Sequence, residues 1–397
     1  MNGITITRQN GGVPKALSGK DYISGFLTYM ADTALPEGFS ATKREKIVST
    51  IEACEALGIT KDATLWRTRA LHYNLSEFFR QSPGATLYIG IYAEKGAEET
   101  YDFSEIKTLQ TYSGGQIRQV GLYCPFKSVA VADITALQAV ATLLQNSDMP
   151  LSIIYSGKID TSSLGTLPAL RATGNKNVSV CIAQDESSGS RAKTLQEEAA
   201  NTLEESVGAL GALVGAVAKS NVNESIGWVE KYPVGYDTPG VCGGKELREI
   251  EAAVQESLDG KGYIFARTYN GFTGSYWSDS KSLDLATSDY GTIESVRVMD
   301  KAARGVREYL LPQLGRPMYI DPESGQIAAQ DVVSLENIAG KALEQMEKEG
   351  QISGYSVYID PKQDVLGSAK IEVVMKIVAV GVARQVAISI GYTTQTE

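Results

Sequence analysis

The sequence predicts a mixed, multi-domain α/β protein: an α/β layer with a mainly parallel sheet, then an α+β C-terminal domain with terminal strands free to be exchanged. Three observations carry this expectation. From residue 86 to about 267, short apolar runs alternate with helical stretches, the pattern of parallel strands buried between crossover helices. From Thr292 the order changes to helix, proline-bounded loop, helix, strand, strand, and a last short strand that nothing in its own domain closes. A matching short strand, Ile4-Thr5-Ile6-Thr7, opens the chain ahead of Gly11-Gly12. Isolated terminal strands carry unpaired backbone donors and acceptors, so they fray or pair with something else, including another copy of the chain.

Taken in order, residues 21–30 (DYISGFLTYM) read as a short buried element. Ser40 caps a predicted helix running to Leu57, with Ile47, Val48, Ile51 and Leu57 apolar and Gly58 as its stop. A second helix is expected over 63–80, halting before Pro83. Strands follow at 86–92, 117–123, 151–155 and 178–182, with helices at 103–111 and 134–145 between them. A long helix is expected from 193 to about 220, then strands near 226–230 and 263–267. Gly208, Gly211 and Gly215 punctuate the long helix, and small residues at that spacing allow a close packing partner. Tight packing on the sheet is favoured over helix dimerisation.

The segment 270–289 is rich in Gly, Ser and Asp and reads as the loop separating the two architectures. Residues 293–311 are helical, with Val296, Met299, Ala303, Val306 and Leu310 on one face. Arg297, Lys301 and Arg304 form a cationic stripe opposite them. It reads either as a solvated face with an Arg304–Glu308 pair or as a contact for an acidic partner. After Pro312 and Pro317, residues 331–349 form an amphipathic helix ended by Gly350. Residues 355–359 alternate as a strand, 371–380 are apolar on nearly both faces and read as a central strand, and 384–390 alternate again. Gly381 fits a hinge that lets the last strand leave its domain.

Length and composition bound the function. At 397 residues, two or three domains are expected, and a net charge of −10 argues against broad nucleic-acid binding. The N-terminus lacks the charged-then-apolar pattern of a signal peptide, and the most apolar run, 207–218, is shorter than a bilayer span, so no membrane insertion is expected. Cys54, Cys124, Cys181 and Cys242 are widely spaced, without a metal or disulfide pattern. The single histidine, His72, sits in a helical pattern with Trp66, Leu75 and Phe79, where a structural role fits best. The run Gly240-Val-Cys-Gly-Gly244-Lys245-Glu246 is one residue short of a phosphate loop and places a carboxylate where magnesium would need a hydroxyl. Asp279, Asp284 and Asp289 lack calcium-loop spacing. No catalytic, metal or cofactor set is expected. The competing reading is a cytosolic α/β enzyme that binds a phosphorylated small molecule.

The terminal third opens with the run Asp289-Tyr-Gly-Thr-Ile-Glu-Ser-Val-Arg-Val-Met-Asp-Lys-Ala-Ala-Arg304. This run resembles the opening helix of the inner domain of contractile tail sheath proteins. Gly354-Tyr355-Ser-Val-Tyr-Ile-Asp360, a long apolar strand and a terminal strand follow in the same order. Upstream, Gly211-Ala-Leu-Val-Gly-Ala-Val-Ala-Lys-Ser-Asn-Val-Asn-Glu-Ser-Ile-Gly-Trp-Val-Glu230 looks like a segment of one sheath branch.

The resemblance implies a non-enzymatic subunit of stacked six-fold rings in a helical array around a tail tube protein, ending at baseplate and tail-terminator proteins. It implies a virion tail location, or a bacterial cytoplasm during assembly. It divides the chain into an N-terminal arm (1–20), an outer α/β region (21–270), an inner domain (271–380) and a C-terminal arm (381–397). Strand exchange would use Ile4, Thr5, Ile6 and Thr7 from one arm and Val386, Ile388 and Ile390 from the other. The receiving strands would carry Tyr355, Val357, Ile359, Ile371, Val373 and Met375, with hinges at Gly11, Gly12 and Gly381. Arg297, Lys301 and Arg304 are the tube-facing candidates, with Glu344, Glu347 and Lys348 as the alternative surface.

Overall fold

A computed structural model of the chain describes residues 20–96, 100–202 and 205–387. The expected mixed α/β architecture is observed. Its centre is a seven-stranded sheet in which the first strand, β1 (Ser24–Met30), lies between strands that follow much later. In sequence these are β2 (Glu45–Val48), β3 (Leu87–Ala93), β4 (Gln119–Ser128), β5 (Ser152–Lys158) and β6 (Val178–Cys181), and the spatial order across them is 6-5-4-1-3-2. Pairing is parallel from β6 to β3, with Ser24 opposite both Leu87 and Gln119, and only the edge strand β2 runs antiparallel. Every residue of β1 is buried, as expected of a strand covered on both faces.

Helices supply those covers. On one face pack α1 (Ile51–Glu55) and α2 (Trp66–Gln81), whose Leu71 and Phe78 lie in the shared core. On the other, α3 (Glu105–Tyr112) and α4 (Val131–Asn146) contribute Ile106, Leu109, Ile134 and Leu137.

The expected helix over 40–57 is corrected. Ser40 bridges to Lys43, residues 45–48 form β2 against β3, and only 51–55 are helical, capped by Thr50 accepting from the Ala53 N–H. Val48 is buried and Ile47 exposed, so the period of two wins over the helical period that the same residues also fit.

The long helix is likewise two: α5 (Arg191–Thr202) and α6 (Leu210–Lys219). The described residues between them are committed elsewhere. Glu205 receives the Arg67 guanidinium at 2.7 Å, the Val207 N–H donates to Gln196 Oε1 at 2.7 Å, and the Ala209 N–H donates to the Ala183 carbonyl at 2.7 Å. The glycines of α6 serve a close approach to α2. A Cβ at Gly211 would stand 1.7 Å from the Asn74 carbonyl oxygen, and one at Gly215 2.7 Å from that of Phe78.

Small antiparallel pieces follow. β7 (Ala183–Asp185), β8 (Pro239–Val241) and β9 (Lys245–Glu246) form one sheet. After α7 (Ala252–Lys261), β10 (Tyr263–Ile264) joins the main sheet beside β6, while β11 (Ala266–Arg267) pairs with β12 (Tyr276–Trp277). Residues 226–230 are a turn rather than the expected strand, closed by the Trp228 N–H donating to the Ser225 carbonyl at 3.1 Å.

The terminal third is α8 (Ile293–Leu310), α9 (Ala329–Lys348), β13 (Ile352–Tyr358), the one-turn α10 (Val365–Ser368) and β14 (Val374–Ala379). Strands β13 and β14 make a two-stranded antiparallel sheet whose inner face rests on Val298, Ala302, Val306, Ala339, Leu343 and Met346 of the two helices. The expectation of a central strand over 371–380 is therefore corrected: among the described residues β14 has one strand partner, and it alternates between exposed and half-buried residues. Ile371 and Val373 precede β14 and pack into a separate cluster with Leu335 and Ile359. Glu372 between them is turned out to Lys370 and to Gln363.

Candidate assembly surfaces

The hairpin presents backbone rather than reagents. Among the described residues neither edge of the β13–β14 sheet is paired with a further strand. Its outward face shows Tyr358, Val374 and Val378, the last 60% exposed, beside Ser356 and Lys376. The expected receiving residues Tyr355, Val357 and Met375 point inward, against α8 and α9. Ile359 is fully buried, with its N–H donating to Glu336 Oε1 at 2.8 Å. They hold the hairpin to the body, while the pairing groups are those of its edges. Below the hairpin, Leu314 and Leu366 stand about four-fifths exposed beside an apolar cleft of about 480 Å³.

Of the strand-donating residues, Ile4, Thr5, Ile6, Thr7, Ile388 and Ile390 lie outside the described residues, as do the hinges Gly11 and Gly12. Val386 is described, and it is 78% exposed. Past β14 the chain runs without regular structure through Gly381 to Arg384, whose guanidinium is held by the body. Its Nε donates to Asp279 Oδ1 at 3.0 Å, and one Nη donates to Ser280 Oγ at 3.4 Å and to Glu294. Glu294, in the first turn of α8, is 5% exposed and also accepts from Ser280 Oγ.

The tube-facing candidates are corrected by their surroundings. Arg297 is 4% exposed and donates to Ser220 Oγ at 2.8 Å, to the Ser220 carbonyl at 3.3 Å and to the Asn221 carbonyl at 3.4 Å. It caps the C-terminus of α6, where unpaired carbonyls and the negative end of the helix dipole attract a cation. Burial pushes its pKa down to about 10, with Asp21 acting in the opposite direction. Lys301 binds Asp21 at 2.8 Å and Glu349 at 3.6 Å, and Arg304 reaches Asp21 at 3.5 Å. The stripe is thus spent inside the subunit. Met299 and Ala303, expected in the core, are instead exposed, because the buried side of α8 is shared between the hairpin and the sheet domain. On α9, Glu344 and Lys348 pair with each other at 2.5 Å in solvent.

The other residues that the sequence singles out for chemistry are engaged in the fold. His72 Nε2 lies 2.9 Å from Glu55 Oε1, and burial holds the imidazole below its ordinary pKa. The glycine-rich run is the β8–β9 turn. Gly243 and Gly244 have φ of +99° and +86°, and their N–H groups donate to Gln184 and Val241, leaving no anion cradle. The four cysteines are buried free thiols, and burial raises the pKa of each. Among the described residues no cluster could hold a metal ion, and no helix is long and apolar enough to cross a membrane.

Sequence reasoning missed Asp21, Asp279 and Glu294 as holders of the chain ends. The only signal was charge sign: an acid just before a buried strand, and an acid in a helix's first turn.

Two family models, described as DUF2586, N-terminal domain, and DUF2586, C-terminal domain, match residues 1–281 and 289–397. A protein of Haemophilus phage HP1 (strain HP1c1), assigned as a tail sheath protein, is 30% identical over 125 residues. That stretch is 31% of this chain and 32% of the phage protein, so the match spans about a third of that relative's length. Among solved structures, a chain of the six-fold symmetrised anti-feeding prophage baseplate superposes with a TM-score of 0.61 at 14% identity. That superposition covers 99% of this chain and 100% of the other. A chain of the same baseplate in its contracted state also gives 0.61, at 14% identity, covering 98% of each. The sheath tail protein of Listeria innocua gives 0.53 at 9% identity, covering 89% of this chain and 94% of its own. These likenesses show a shared fold.

Proposed function

This chain belongs to the DUF2586 family, and on that premise we propose that it is the structural sheath subunit of a phage tail or related contractile injection machine. The observation that carries the reading is the β13–β14 hairpin. Among the described residues its edges are unpaired, and its outward face carries Tyr358, Val374 and Val378, within a fold shared from end to end with a chain of the anti-feeding prophage baseplate. An unpaired edge is a template for another strand. The donors are the segments around 4–7 and 386–390 of neighbouring subunits, and the join does not close on itself, so it grows a helical array of stacked six-fold rings. Each backbone hydrogen bond contributes about 1 kcal/mol net, so two short added strands hold several kcal/mol per subunit. Backbone joins carried on extended segments survive rotation and translation of the rings, which face-to-face packing would not. The extended array is a metastable packing released from one end, and its contraction drives the tail tube. The partners are thus further copies of the chain, the tube protein, and the baseplate and terminator proteins.

Within this scheme residues 1–20 and 381–397 act as linking arms, and the body divides into an outer α/β region and an inner domain. The Ala266–Trp277 pairing crosses the expected boundary at 270. It supports moving that boundary to the interval between the two family matches, 282–288.

Negative-stain microscopy of the purified protein tests the reading. Wide hollow tubes are expected. Removing residues 1–8, or truncating after Gln385 so that Arg384 is kept, should give folded subunits that form none. A chain that stays monomeric at high concentration would overturn the proposal, as would unchanged tubes from both truncations.

A further inference from the structure

The two ends of the described chain are fastened to one helix by ion pairs of opposite polarity. Where the chain enters the fold, Asp21 is held by Lys301 at 2.8 Å and Arg304 at 3.5 Å, both on α8. The three side chains keep no more than a fifth of their surface exposed. Arg118 faces the same cluster, and burial pushes its pKa down to about 10, against the pull of Asp21. Where the chain leaves, Arg384 is held by Glu294 in the first turn of α8 and by Asp279 in the loop that follows β12. Glu294 is the decisive member. A carboxylate this buried needs a cation, and among the described residues Arg384 is the one paired with it.

We infer that α8 is the common anchor of both terminal segments, an acid rooting the first and a base rooting the second. Resting as it does on the strand-exchange reading, the inference adds a path for force. Glu294 and Lys301 are seven residues apart on one helix, roughly 10 Å at 1.5 Å per residue. A pull on either segment is therefore shared with the same rigid rod, at Asp21 before it reaches β1 and at Arg384 before it reaches β14. The anchors also shorten the free length of each segment. The C-terminal one is released at Arg384 and not at the Gly381 hinge, which raises its effective concentration at a neighbour's hairpin. The opposite signs keep each root at its own place on α8, the first turn for Arg384 and the middle for Asp21, since Arg384 would be repelled by Lys301 and Arg304 and Asp21 by Glu294.

Trypsin reads the anchors on the isolated full-length subunit. It cleaves after Lys20, which is exposed and adjoins Asp21, and after Arg384 itself. Cleavage rate tracks the population of the released root. Lys301→Gln should speed the cut after Lys20 about tenfold, and Asp279→Asn the cut after Arg384 about tenfold, the loss of one charge-assisted hydrogen bond. The conservative Lys301→Arg should restore protection. Circular dichroism melts confirm that each variant is folded, and Glu294→Gln, which keeps its Ser280 contact, stands in if Asp279→Asn is not. Unchanged cleavage in folded variants overturns the anchors. If wild-type protein forms tubes, both variants should need a several-fold higher concentration to do so, and an unchanged threshold overturns the force path. Protease results as expected from a protein that never forms tubes would uphold the anchors and reject the strand-exchange reading instead.

Discussion

Arg297 and Asp300 lie one turn apart on α8, and both have a charge whose cost is set by burial. Arg297 offsets it with three hydrogen bonds at the end of α6. For Asp300 burial dominates and lifts the pKa from 3.8 to about 6, with Arg304, Lys176 and Arg118 opposing the shift. An acid raised in this way binds its proton more tightly when folded. The native state is therefore favoured below pH 4, and that advantage is lost as pH rises through about 6. Asp300→Asn should raise the melting temperature at pH 7.5, and the gain should shrink towards pH 4.5. An equal gain at both pH values, in melts followed by circular dichroism, would remove the titration of Asp300 as its cause.

Elements were legible where both faces of a strand are covered. The strands at 86–92, 117–123 and 151–155 read directly as apolar runs and sit in the sheet as β3, β4 and β5. At 45–57 the apolar residues fit a helix as well as a strand, and only the pairing with β3, remote in sequence, decides between them. The α5–α6 break is equally non-local, being fixed by Arg67 from α2. At the chain ends, the strand order and the open hairpin could be anticipated, but the anchors could not. Nothing near Glu294 in sequence announces Arg384, and the cationic stripe of α8 gives no sign that its partners are internal. The glycines of α6 were legible as a close contact, but the sequence favours the sheet as the partner. The partner is α2, and at Gly211 the contact is backbone to backbone. Gly211→Ala should therefore cost about 2–3 kcal/mol or more, because a helix would have to move. The urea midpoint should fall, whereas Gly260→Ala, inside α7 with open space around it, should not lower it and should raise it slightly.

On the scale of the whole molecule, the body is closed by two cores around the main sheet, while the hairpin stays open on its outward face. Stability and assembly are thereby separated in space. Replacing exposed Val374 and Val378 with lysine should change unfolding free energy by no more than about 0.5 kcal/mol per site. The same pair of substitutions should prevent tube formation, scored by pelleting and microscopy. Loss of folding stability matching the loss of tubes would mean that the face belongs to the core.

The place of β1 in the sheet also sets a timetable for synthesis. β1, the first of the described strands to be made, is flanked by β3 and β4, so Phe26 and Leu27 wait for Ile89 and Leu122 before they can be covered. Such late partners make for slow folding and a long exposure of apolar chain at the ribosome. The hairpin is translated after every strand of that sheet, once the body has the means to close. The edges of β13 and β14 therefore become available to neighbouring polypeptides on the same message only after the strands of that sheet have been made.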